Sequence, residues 1–166
     1  MVTTLLNKIN KEKYKNAILF FVKYCNNQYL GATKLNKLLY YLDFISYRDR
    51  GDSVTGDIYL HKQFGPVPSE LDNILSELQS EESLNVESVD YGEKDGFRYD
   101  VKKSPDVSVF NPYEKKLLDD ICKEFSLWSR EKIVNQTHLE APWFYSRPFE
   151  VVNYEYSKDI EFFAKR

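Results

Sequence analysis

The chain has 166 residues, of which 42% are apolar and 16% aromatic, and a formal net charge of −3. That length supports one domain, 1–166, with a sizeable core, and no apolar run approaches the roughly 20 residues of a membrane span. The opening stretch MVTTLLNKINKEK has neither a secretory apolar region nor a cleavage site, so a cytoplasmic protein is expected. The charge is unevenly placed. Residues 1–50 carry nine Lys/Arg against three Asp/Glu, whereas 69–95 carry nine Asp/Glu and one Lys. Such polarity steers protein partners and argues against wholesale phosphate binding. The two cysteines, Cys25 and Cys122, fall on expected helices and read as reduced core thiols.

In chain order, Tyr14, Ala17, Ile18, Phe21, Val22 and Cys25 repeat at three and four, which predicts a helix over Lys11–Asn26. Asn26, Asn27 and Gly31 mark its exit. A second helix is expected over Thr33–Arg50, with Thr33 as N-cap and Gly51 as stop. Tyr40, Tyr41, Phe44 and Tyr47 widen its apolar arc, so this helix should be central. Asp57–His61 reads as a short strand. Phe64–Pro68 reads as irregular, because Pro66 and Pro68 each lack a backbone donor. Ser69 should cap a helix over Glu70–Ser80. Strands over Leu84–Asp90 and Phe97–Lys102 should form a hairpin around Tyr91–Gly96. Asn111, Pro112 and Glu114 spell a capping box for a helix reaching Phe125. Shorter helices are expected at Ser129–Gln136 and Ser157–Ala164. The pattern is that of an α+β fold, predominantly α: a compact helix bundle with a small antiparallel sheet or hairpin.

The sequence holds little that could run a reaction. His61 and His138 lack any metal-ligand spacing. No activated thiol, nucleophile elbow, phosphate loop or dinucleotide fingerprint appears. Asp49, Asp52 and Asp57 read as dressing on a helix exit. No catalytic residue, metal or cofactor is assigned, and the chain reads as a non-enzyme. Winged-helix-like DNA binding is the competing class, with Lys34 and Lys37 on phosphates and Arg98, Lys102 and Lys103 on a wing. The absence of a base-reading helix face and the acidic 69–95 segment disfavour DNA. Phe64-Gly65-Pro66-Val67-Pro68 is a preordered loop suited to anchoring a partner, since little entropy is lost on binding. Trp143, after Pro142, reads either as a core cover or as an interfacial anchor.

Three segments resemble the Panacea domain, the SocA-like antitoxin family of bacteria and phages, which includes GepA-like phage-associated proteins. They are Lys34-Leu35-Asn36-Lys37-Leu38-Leu39-Tyr40, then Thr55-Gly56-Asp57 through Phe64-Gly65-Pro66-Val67-Pro68, then Thr137-His138-Leu139-Glu140-Ala141-Pro142-Trp143. With about ten residues ahead of the first helix, the bare domain is expected. The resemblance implies an antitoxin that neutralises a co-encoded toxin by direct contact. It also admits a proteolytic adaptor that delivers a toxin to a Clp protease. A nearby-encoded toxin is the expected partner, and a homodimer is left open. The partner-binding candidates are Phe64, Gly65, Pro66, Val67, Glu77, Glu81, Glu82, His138 and Trp143. The acidic residues would complement the basic active-site mouth of a toxin that acts on nucleotides or RNA.

Overall fold

The computed structural model describes residues 9–25, 30–91 and 94–163. Helix α1 spans Lys11–Tyr24 and opens on Asn10, whose side chain accepts from the Lys13 backbone N–H at 3.0 Å. The expected exit at Asn26 and Asn27 lies outside the described residues. Helix α2 spans Ala32–Arg50. Its N-cap is Gly31 rather than Thr33, with no side-chain bond there. It ends on Gly51 at φ +76°, the left-handed stop that a glycine permits. As its wide apolar arc requires, α2 is buried on nearly every side from Lys34 to Ser46. Helices α1, α4 (Pro112–Phe125) and α5 (Arg130–His138) pack around it. Tyr41 stacks on Phe125 at 4.6 Å and Phe44 on Tyr154 at 4.2 Å, so aromatic faces fill the gaps between elements.

Two separate two-stranded antiparallel sheets accompany the helices: β1 (Tyr59–Lys62) with β2 (Gly65–Pro68), and β3 (Leu84–Tyr91) with β4 (Lys94–Val101). The fold is therefore α+β and predominantly α. Strand β2 corrects the expectation that Phe64–Pro68 is irregular. Alternate residues of a strand point their backbone groups to opposite sides. Tyr59 and His61 point theirs away from β2: His61 N–H donates to Glu150 O at 2.9 Å, and Val152 N–H donates to Tyr59 O at 2.8 Å. Their cross-strand partners are Pro68 and Pro66. Both prolines thus sit at positions whose missing N–H the ladder never needed, the placement an edge strand allows.

Helix α3 spans Leu71–Ser80 and is preceded by Glu70, not capped by Ser69. The Ser69 hydroxyl instead donates to Asp57 at 2.7 Å. Strands β3 and β4 pair in register from Leu84↔Val101 to Tyr91↔Lys94, a tighter turn than the one expected over Tyr91–Gly96; its tip, Gly92-Glu93, lies outside the described residues. Helix α4 carries the full expected box: Asn111 accepts from Glu114 N–H at 2.8 Å, and Glu114 accepts from Asn111 N–H at 2.9 Å. Helix α5 is followed by the short helix α6, Ala141–Phe144. The last expected helix, Ser157–Ala164, is instead a 3-10 turn over Tyr154–Asp159. Arg48 holds the chain beyond it. Its guanidinium donates to the carbonyls of Ile160 (2.8 Å), Phe162 (2.6 Å) and Phe163 (2.8 Å), and Ile160 itself is extended at φ −75° and ψ 122°, which ends the turn there.

The reading of Cys25 and Cys122 as reduced thiols is also overturned, because a disulfide joins them. Cys25 closes α1 and Cys122 lies on α4, and helical periodicity buried each without showing that the two helices meet there. The cross-link spans 97 residues and ties two core elements together. Chain-entropy arguments put its stabilisation at about 4.7 kcal/mol. The Cys25→Ala/Cys122→Ala double variant should therefore melt lower by about 10 °C. Thermal denaturation of both proteins under non-reducing conditions checks this; equal melting temperatures would show that the bridge adds no stability.

Candidate functional site

The hairpin β1–β2 projects Gln63 and Phe64 at its tip. Phe64 is 44% exposed, and the Arg130 guanidinium lies 4.6 Å from its ring centroid. Behind the tip, Gly65 adopts φ +109°. A Cβ there would sit 2.6 Å from Lys37 Cε and 2.7 Å from Thr137 Oγ1, so both its conformation and its surroundings require glycine. Pro66 is buried, and its carbonyl accepts from Lys37 Nζ at 2.8 Å. Lys37 is fully buried; burial, with the nearby Arg130 charge adding, lowers its pKa to about 7. Val67 is half-buried on the strand edge.

Trp143 backs this hairpin. Its indole N–H donates to Lys62 O at 2.9 Å. His61 stacks on the indole at 4.2 Å and His138 at 3.9 Å, with planes within 20° of parallel. Ser146 Oγ lies 2.9 Å from Trp143 O and 2.7 Å from His61 Nδ1, tying the imidazole to the same turn. His138 Nε2 is buried without a hydrogen-bond partner. Burial lowers the pKa of both histidines. Of the nine sequence candidates, the structure brings Gly65, Pro66, His138 and Trp143 together behind the tip and leaves Phe64 in front of it.

The acidic candidates lie elsewhere, on and just after α3. Glu77 pairs with Lys11 (2.7 Å) and Lys15 (3.2 Å), and Glu81 pairs with Lys15 (2.5 Å). The basic end of the chain therefore neutralises part of the acidic segment within one molecule. Glu82 is exposed, at φ +57°. The lysines offered for phosphate contact are corrected by their burial: Lys34 donates to Ser126 O at 3.0 Å and Lys37 to Pro66 O, and neither reaches solvent. Asp49 accepts from Arg48 (2.8 Å) and Tyr113 (2.6 Å), and Asp57 accepts from Tyr14 (2.6 Å). These carboxylates hold the fold. Among the described residues no group of three or more His, Cys, Asp or Glu is placed to hold a metal ion.

The three segments singled out in the sequence thus converge on one hairpin and its supports. Residues 35–144 match the family described as antitoxin SocA-like, Panacea domain. The chain belongs to the SocA-like antitoxin family. No curated protein and no solved structure is significantly similar to it. No helix among the described residues is long and apolar enough to cross a membrane.

In this Panacea domain the surface also holds apolar residues that sequence reasoning did not single out. Leu139 is 78% exposed, Phe144 63% and Phe149 75%. Phe149 stands at φ +67°, an uncommon conformation for a bulky side chain, held where its N–H donates to His61 O at 2.8 Å. The only available signal was an apolar residue out of phase with the core stripe, as Leu139 is between Thr137 and Glu140.

Glu140, within the third segment, is buried and accepts from Tyr40 (3.0 Å), Tyr41 (3.1 Å) and Gln136 (3.2 Å). Burial raises its pKa to about 7 against these hydrogen bonds. Between its ordinary value of 4.5 and about 7, the folded chain keeps a proton that the unfolded chain has released. Stability from this group is therefore full at low pH and falls as pH rises through that window. Glu140→Gln removes the buried charge. The variant should match the wild type near pH 4 and exceed it at pH 8 by up to about 3 kcal/mol. Denaturant titrations at the two pH values measure the difference, and a gap that does not widen with pH refutes the assignment.

Proposed function

We propose that this chain neutralises a toxin encoded beside it by direct protein–protein contact, and that the hairpin tip is part of the contact. The supporting observation is the separation of roles within the matched segment. Most of its buried polar groups are engaged inside the molecule, whereas Phe64 stands exposed on a hairpin whose backbone is fixed from behind. A partner that meets such a tip orders little new chain, so apolar contact converts efficiently into affinity. Val67 and Phe149 extend the apolar surface at the same hairpin. Gly65, Pro66, His138 and Trp143 act as positioning residues that hold the tip. Glu82, with whatever charge Glu77 and Glu81 retain beside their lysines, contributes long-range attraction to a basic toxin. The inhibitory step in this reading is occlusion or distortion of the toxin's active site by a folded surface.

Co-expression with the product of the adjacent gene tests the reading: the wild-type chain should rescue growth and co-purify with that product. Phe64→Ser should weaken the complex by about 10-fold or more while leaving the melting temperature within about 2 °C, because the ring is half exposed. Isothermal titration and thermal melts give the two numbers. A chain that neither binds nor rescues excludes toxin neutralisation, and an unchanged affinity for the variant excludes the tip.

A further inference from the structure

A second surface lies between α6 and the segment that follows the 3-10 turn. Leu139, Phe144 and Tyr145 stand exposed along one side of a groove of about 650 Å³. Phe162 forms the other side, with Asp159 and Glu161 beside it and Glu140 at the base. Among the described lining residues Asp159 and Glu161 are exposed carboxylates and there is no Lys or Arg, while Glu140 is buried against Tyr40, Tyr41 and Gln136. The far wall is rigid. The Phe162 ring packs on Tyr41 at 5.6 Å and Phe125 at 5.2 Å, and the Arg48 guanidinium holds its backbone through three carbonyls. The family match stops at residue 144, so Leu139 and Phe144 belong to the matched segment and Asp159, Glu161 and Phe162 lie outside it.

We propose that this groove seats a segment of a partner polypeptide that presents an arginine or lysine next to a large apolar side chain. Charge decides the cation: it would pair with Asp159 and Glu161, which an acidic or neutral segment would desolvate without a partner. Exposure decides the polypeptide. A small-molecule site encloses its ligand, whereas Leu139, Phe144 and Tyr145 project outward, as the apolar anchors of a protein interface do. The fixed Phe162 wall means that binding orders little of this chain. The inference takes from the toxin-neutralising reading only the identity of the partner, and places a second contact on it beyond the hairpin tip.

The test is a random dodecapeptide display library selected on the immobilised full-length chain, with the best peptide then measured by fluorescence anisotropy. The expected consensus carries Arg or Lys within about one helical turn of Leu, Phe or Trp. Affinity should fall about 30-fold for Leu139→Ser/Phe144→Ser, the effect of losing an interfacial anchor. It should fall about 10-fold for Asp159→Lys/Glu161→Lys, with a weaker salt dependence. All four side chains are exposed, and circular dichroism confirms that the variants fold. A consensus without a cation, no consensus, or peptides that bind both variants unchanged would overturn the proposal. So would a dimer of this chain that the same substitutions disperse, since the groove would then be a self-contact. Growth rescue by the adjacent gene product is scored separately. Rescue without a basic–apolar consensus sinks the groove and spares the neutralising function; a consensus without rescue does the reverse.

Discussion

A helix buried on nearly every side must find partners for the polar side chains it carries inward, because an unsatisfied buried polar group costs on the order of 1–3 kcal/mol. Six of the buried residues on helix α2 are polar, namely Lys34, Lys37, Tyr40, Tyr41, Asp43 and Ser46, while the buried Oδ1 of Asn36 stays without a partner. Each of the six reaches out to another piece of chain. Lys34 takes the end of α4 and Lys37 takes β2. Tyr40 and Tyr41 share Glu140 after α5. Asp43 accepts from the backbone N–H groups of Val54 and Thr55, from the Thr55 hydroxyl and from Tyr59. Ser46 donates to Asp52 O. The three family segments are in this sense one polar network written in three places. Burial raises the Asp43 pKa to about 6 even against four hydrogen bonds, which shows how strongly desolvation weighs at the centre.

The helices were largely legible because their signals are local. The Asn111–Glu114 box and the Gly51 stop are stereochemical requirements that neighbouring residues satisfy alone. What escaped was everything set by parity or by a distant partner. Pro66 and Pro68 forbid a strand only when their missing donors face the ladder, and which way they face depends on a register the sequence does not state. Lys34 and Lys37 look solvated until α4 and β2 supply carbonyls for them. Cys25 and Cys122 sit 97 positions apart, and only the packing of α1 on α4 brings them together. Ser157–Ala164 failed as a helix because the chain turns extended at Ile160, and Arg48, distant in sequence, holds that carbonyl and the ones beyond it.

The candidate site was legible by place more than by role. Phe64, Gly65, Pro66, His138 and Trp143 do assemble, as their common membership in the motif segments suggested. Most of them face inward, and the reason is geometric. Holding an exposed Phe on a two-residue tip requires a close backbone approach at Gly65, a donor from Lys37, and a flat indole against which His61 and His138 stack. The number of residues that shape the tip therefore exceeds the number that project from it.

That ratio bears on how such a surface can diversify. Residues in the polar network are coupled, so changing one leaves a buried partner unsatisfied. The exposed residues carry no such coupling: Phe64, Leu139, Phe144 and Phe149 can be replaced at little cost to the fold. Asp159 and Glu161 go further, because they are exposed, lie beyond the matched segment and yet line the groove beside α6, next to a Phe162 whose ring packs on Tyr41 and Phe125. Arg48 binds that segment through backbone carbonyls alone, a contact indifferent to which side chains the segment carries. The interior thus constrains where the C-terminal wall stands while leaving its exposed charged positions free, the combination that a scaffold recognising different partners needs.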